Sequence, residues 1–240
     1  MATGLLAFGL GALFSLVVWS RWLASHRPAF AAWGTGLAIF AAAALTQALG
    51  QAGGFSVPLF RAFYLLGGVL GVIYLALGTV FLLAPARVAR LCTMVLVALT
   101  LLLAVDAALA PVDASRLQTT SGILGGALAG HGTPLFVAAV ALNIIGTVVL
   151  AGGSAYSAWR FIRSRSGIDR VVCNVLLTVG ALVVAFGFSL AKTVGGSLTG
   201  LGIAESVGIA LMFAGFLSLG RVGVRRPSVA AAAGTAPASK

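Results

Sequence analysis

The side chains in this sequence with a capacity for chemistry are few, and their surroundings single them out. Glu205, Asp106, Asn143, Arg61 and Lys192 each lie within or at the edge of a long apolar run. A polar or ionisable group taken out of water needs a partner, and inside a bilayer it marks a functional site by default. Glu205 falls about two turns into the last run and Asn143 near the middle of the fifth. Asp106 lies near the end of the fourth run, Arg61 opens the third and Lys192 closes the sixth. If the runs alternate in direction, all five belong to the same half of one bundle. Such a cluster suits binding of a small polar molecule or an ion from the face on which it opens.

A structural reading of the same residues stands beside this one. Glu205 has Lys192, Arg61 and Asn143 as candidate partners, and Asp106 has Arg61 and Arg116. Ion pairs of this kind can pin helix ends together, and Asn143 can serve as polar glue between helices.

Other chemistries lack their parts. The two histidines, His26 and His131, are predicted on opposite faces, which leaves neither a bis-histidine haem nor a histidine-rich zinc site. Cys92 and Cys173 form no CxxC and read as small buried thiols. No GxSxG accompanies a base, and no GxxxxGK[ST] is present. The expectation is therefore a non-enzyme with no metal and no cofactor.

The elements that must position these residues follow from composition. Of 240 residues, 60% are hydrophobic and only 8% charged, against about 25% charged in soluble domains. So little charge cannot cover a water-facing surface, and the natural solvent is lipid. The 32 glycines agree, since small residues let transmembrane helices approach closely. A net charge of +11 would suggest nucleic acid if it formed one water-facing patch. Here the basic residues sit in short clusters between apolar runs, where anionic lipid headgroups are the expected partner.

A helix needs about 20 apolar residues to cross the hydrocarbon core. Seven runs qualify: residues 2–23, 30–50, 59–84, 88–110, 134–159, 171–191 and 198–220. The predicted fold is an all-α, polytopic seven-helix transmembrane bundle over residues 1–228, with a disordered cytoplasmic tail over 229–240. Residues 1–20 carry no charged side chain, so the first run reads as a retained helix rather than a cleaved signal. Arg21, Arg27, Arg87, Arg90, Arg160, Arg163, Arg165, Arg170, Arg221, Arg225, Arg226 and Lys240 fall on one side, and Arg61, Arg116 and Lys192 on the other. Lys and Arg gather on the cytoplasmic face. The N-terminus is therefore expected outside, the C-terminus in the cytoplasm and the bundle in the plasma (inner) membrane.

Two features stay open at the level of sequence. The 111–133 connection is partly apolar and glycine-rich, which suits either a lid over the outer face or a plain connector. Shifting the chain by 142 places aligns runs one to three with five to seven: Arg21 meets Arg163, and Gly53-Gly54 meets Gly195-Gly196. Glycine and leucine match cheaply in such a composition, so chance similarity is the reading preferred.

The plan of seven spans with an outside N-terminus is similar to that of heptahelical receptors, rhodopsins and the three-plus-one-plus-three sugar transporters. The likeness is architectural: there is no Pro-Gln pair, and the last run holds no lysine for a retinal Schiff base. Function is expected to be small-molecule or ion binding of the sensor or transporter kind. The alternative is a non-catalytic accessory subunit that docks on a membrane-protein partner or a second copy of itself.

Overall fold

Proline and hydroxyl side chains punctuate the apolar runs and decide where each helix begins. Pro28 occupies the first turn of the second helix, where its missing N–H costs nothing. Ser56, Thr133 and Ser197 cap three others, accepting from the backbone N–H of Leu59 at 3.4 Å, Phe136 at 3.3 Å and Gly200 at 3.1 Å. His26 closes the first helix in the left-handed conformation (φ 51°), its N–H returning to the Trp22 carbonyl at 2.7 Å.

A computed structural model describes residues 1–119, 122–128, 133–165, 167–193 and 197–219, apart from the side chains of Phe188, Leu190, Lys192 and Thr193. Within that set the long helices are α1 (Ala2–Ser25), α2 (Pro28–Gly53), α3 (Val57–Leu83), α4 (Ala86–Leu109), α5 (Pro134–Arg163), α6 (Ile168–Thr193) and α7 (Leu198–Ser218). All seven are long and apolar enough to cross a membrane. The ends shift from the expected ones where polar side chains can reach back to headgroups. Thus α5 runs on to Arg163 instead of stopping at Trp159, and α6 starts at Ile168. The tail over 229–240, His131 and the Gly195-Gly196 pair lie outside the described residues.

Six of the helices close a ring. Going round, α1 packs on α2, α2 on α3, α3 on α5, α5 on α6, α6 on α7, and α7 returns to α1. Helix α4 stands outside it, against α3 and α5. The adjacency is the same for the two triplets, α1–α2–α3 and α5–α6–α7, with α4 as the connector between them. This is the arrangement that a 142-residue repeat would build.

Small residues set the closest crossings of the ring. A Cβ on Gly180 of α6 would lie 2.5 Å from the Gly208 carbonyl oxygen of α7, and one on Gly208 would lie 2.7 Å from the Gly180 oxygen. The two backbones touch at this pair, which no larger residue permits. At the α7–α1 seam the Ser206 hydroxyl donates to the Thr3 carbonyl at 3.2 Å.

The connection after α4 is packed rather than loose over its described part. Leu117, Ile123, Leu124, Ala127 and Leu128 are buried in one cluster with Phe60, Tyr64 and Leu103. The Asp113 N–H donates to the Ala127 carbonyl at 2.8 Å, and Gly125 (φ 114°) supplies a turn beside the Tyr64 ring that other residues rarely adopt. Those residues form a cap across that end of α3, α4 and α5.

Candidate functional site

The centre of the ring is hollow. Phe40 and Ala43 of α2, Phe63, Gly67 and Gly71 of α3, Asn143 and Thr147 of α5, Val184 of α6 and Glu205 of α7 are among the residues around one cavity. About 80 Å³ of it is open to the centres of water-sized molecules, several times the roughly 10–15 Å³ that one water needs. Its walls are mostly apolar, with Asn143, Thr147 and Glu205 as the polar side chains on its lining. A few convergent polar groups on an apolar wall are the usual make-up of a small-molecule site.

The wall on the α3 side owes its shape to a local change of helix. Over Tyr64–Leu70 the helix widens into π-type turns, and the Gly71 N–H reaches back five residues to the Leu66 carbonyl. Widened turns disturb the regular backbone ladder and occur often at functional sites. Here the disturbance is met from across the cavity. The Asn143 side-chain nitrogen donates to the Gly68 carbonyl, and also to the Ala139 carbonyl one turn back on its own helix at 2.8 Å. Carbonyl oxygens only accept, so the pair fixes which way the amide faces. Both N–H groups are thereby used, and the amide oxygen is the part of Asn143 with capacity left.

Glu205 has no such partner. Its Oε2 is sealed from solvent and accepts no hydrogen bond. No ion pair to it occurs among the described residues, and the side chain of Lys192 lies outside them. An uncompensated carboxyl deep in an apolar bundle is costly, and natural structures keep such groups rarely.

The five residues singled out from sequence therefore divide. Glu205 and Asn143 come together on the central cavity. Arg61 and Asp106 do not line it. Neither pairing expected for Asp106 is made. Arg61 instead donates through Nη2 to the Ala110 carbonyl at 2.7 Å, closing the end of α4, where orphan carbonyls invite a cation. Arg116 turns away to Asp113 at 3.1 Å. The Arg61 Nε and the Asp106 Oδ2 are both buried without a partner, so this end of the bundle holds a second polar layer distinct from the cavity.

Outside the spans, Asp113 is held below the usual carboxylate range, first by the Ser115 hydroxyl, which donates to it at 2.5 Å, and then by the backbone and by Arg116.

Three contributors are not among the site residues expected from sequence. The glycine cluster Gly67-Gly68…Gly71 in mid-span was the legible sign of an irregular helix. Thr147 lies four residues after Asn143, on the same face of α5. Gln47, fully buried on α2, donates to the Leu198 carbonyl at 3.1 Å and so ties α2 to the start of α7 one turn beyond Ala43.

The cavity ends against an apolar layer. Leu75, Leu150 and Met212 lie between it and a smaller void lined by Phe14, Trp33, Leu37 and Phe216. Phe14 stacks on Phe213 at 4.9 Å in the layer beyond. Compared with known proteins, the chain matches no family model, no curated protein and no solved structure.

Proposed function

We propose that this chain is a non-catalytic small-molecule-binding membrane bundle of the sensor or transporter kind, with its site in the central cavity. The observation that carries the reading is the Glu205 carboxyl, unpartnered through Oε2 and set on a central cavity lined by five of the ring's helices. A group this costly is retained where a ligand completes it. Asn143 keeps its amide oxygen free on the same cavity lining, while Arg61, Asp106 and Lys192 belong to the same end of the bundle. With Lys and Arg weighted toward the opposite end, that end faces the cytoplasm of a plasma-membrane protein, the N-terminus lies outside and the site is reached from outside. The Leu75, Leu150 and Met212 layer then separates the cavity from the cytoplasmic side.

The test is native mass spectrometry of the full chain extracted gently from its own membranes. A stoichiometric small-molecule mass that disappears in Glu205→Gln supports the reading. A wild-type spectrum without any such mass, from membranes that contain the natural ligand pool, counts against it.

A second reading rests on α4. It stands outside the ring with Leu91, Met94, Leu101, Leu102 and Leu109 uncovered. Lipid covers such a face in the first reading. In an accessory subunit it would meet a membrane-protein partner or a second copy, and the same spectra would then show a protein mass. The basic residues Arg87 and Arg90 flank an open groove with Phe81 and Met94, a place for an anionic headgroup above its acyl chain.

A further inference from the structure

The polar atoms on the cavity differ in kind, and the difference selects a ligand. The two Asn143 N–H donors are spent on the Gly68 and Ala139 carbonyls, which leaves the amide oxygen as an acceptor. Glu205 offers an acceptor with no donor opposite it. Thr147 supplies a hydroxyl that can accept or donate. Among the described residues no Arg or Lys side chain lines the space. The site is thus rich in acceptors and poor in donors, which disfavours anions and favours a ligand that brings N–H groups and positive charge.

Size and wall chemistry narrow the class further. A bare hard cation takes six or more oxygen ligands. Three polar side chains on an apolar wall do not supply them, and no cluster of three His, Cys, Asp or Glu occurs among the described residues. An organic cation carries its own apolar body. Val72, Leu75, Leu150 and Ile209 suit that body, and the Phe40 and Phe63 rings can face the charge. We infer that the central cavity takes a small organic ammonium, with its charged nitrogen on Glu205 and the Asn143 amide oxygen and its hydrocarbon part against α3, α5 and α7. This inference rests on the binding reading above.

The experiment uses the full chain in lipid nanodiscs, with thermal unfolding read against added butylammonium, butan-1-ol, butanoate and sodium. Butylammonium should raise the midpoint saturably while the other three do not. Its apparent affinity should fall about tenfold or more in Glu205→Gln. It should persist in Glu205→Asp, which keeps the charge. Along the series from ethylammonium to hexylammonium, affinity should pass through a maximum as the cavity fills. Equal shifts with butylammonium and butan-1-ol, or a shift with sodium alone, would overturn the ammonium assignment and leave the binding reading intact. No shift with any probe, together with no small-molecule mass in the native spectra, would sink both.

Discussion

Asn143 of α5 and Gly68 of α3 are joined across the ring, the asparagine side chain donating to a backbone carbonyl within the widened stretch of α3. The bond couples the shape of the cavity wall to one amide. Removing it takes from the Gly68 carbonyl its donor across the ring. Asn143→Leu should therefore destabilise the bundle by about 1–3 kcal/mol. Hydrogen exchange should quicken around residues 64–71 before it does elsewhere. Uniform exchange, or unchanged thermal stability, would mean that the widened turns do not depend on Asn143.

Glu205 should behave as a residue kept for function at the expense of stability. Glu205→Leu removes an unsatisfied buried group and should stabilise the protein by about 1–3 kcal/mol, while Glu205→Gln should change stability little. Both should lose the ligand. Thermal unfolding paired with native mass spectra reads the two effects separately, and a strongly destabilised Glu205→Leu would assign the carboxyl a structural role.

The α6–α7 crossing has a sharp size limit. Gly208→Val must push the Gly180 backbone away and should lower stability by roughly 2–4 kcal/mol through overpacking and helix separation. Gly152→Leu is the matched control, because nothing lies within 4 Å of a Cβ at that position. Similar losses from the two changes would contradict the backbone contact described here.

Arg61 and Asp106 make no ion pair. Arg61→Met should cost about 1.5–3 kcal/mol through loss of the charged hydrogen bond to the Ala110 carbonyl. In a double-mutant cycle with Asp106→Asn the two effects should add to within about 0.5 kcal/mol. A coupling well above that value would show that the pair forms after all.

The Asp113 carboxylate, exposed and hydrogen-bonded by Ser115 and Arg116, should titrate below its ordinary 3.8. A depressed folded-state value means that its contribution to holding the cap formed by the described residues 111–119 and 122–128 is present at neutral pH and is lost as pH falls through that value. Carboxyl-labelled NMR reads the midpoint directly, and Ser115→Ala should move it upward. A midpoint at or above 3.8 in the parent protein would remove this source of acid sensitivity.

What was legible in the sequence follows from what a bilayer demands of any chain. The seven apolar runs had to be helices, because lipid leaves backbone groups no other partner, and their breakers marked the ends to within a few residues. Glu205 and Asn143 were legible for the same reason: each is anomalous at its depth. The partners of Arg61 and Asp106 were not. Depth along a helix says nothing about rotation around it, and a carbonyl at a helix end competes for a guanidinium as well as a carboxylate does. The hollow at the centre was equally hidden, since it depends on the widened turns at Tyr64–Leu70 and on which helices close the ring. Helix order, with α4 left outside, is a property of packing that apolar runs of similar composition do not encode one by one.

Because α4 lies outside the ring, its outer face is under a different kind of constraint from every surface that faces the cavity. A lipid chain is an undemanding neighbour and accepts any apolar side chain at Leu91, Met94, Leu101 or Leu102. A protein neighbour has a shape and accepts few. The freedom with which those four positions tolerate exchange among Leu, Ile, Val, Met and Phe is therefore a readable imprint of whatever lies against them in the membrane.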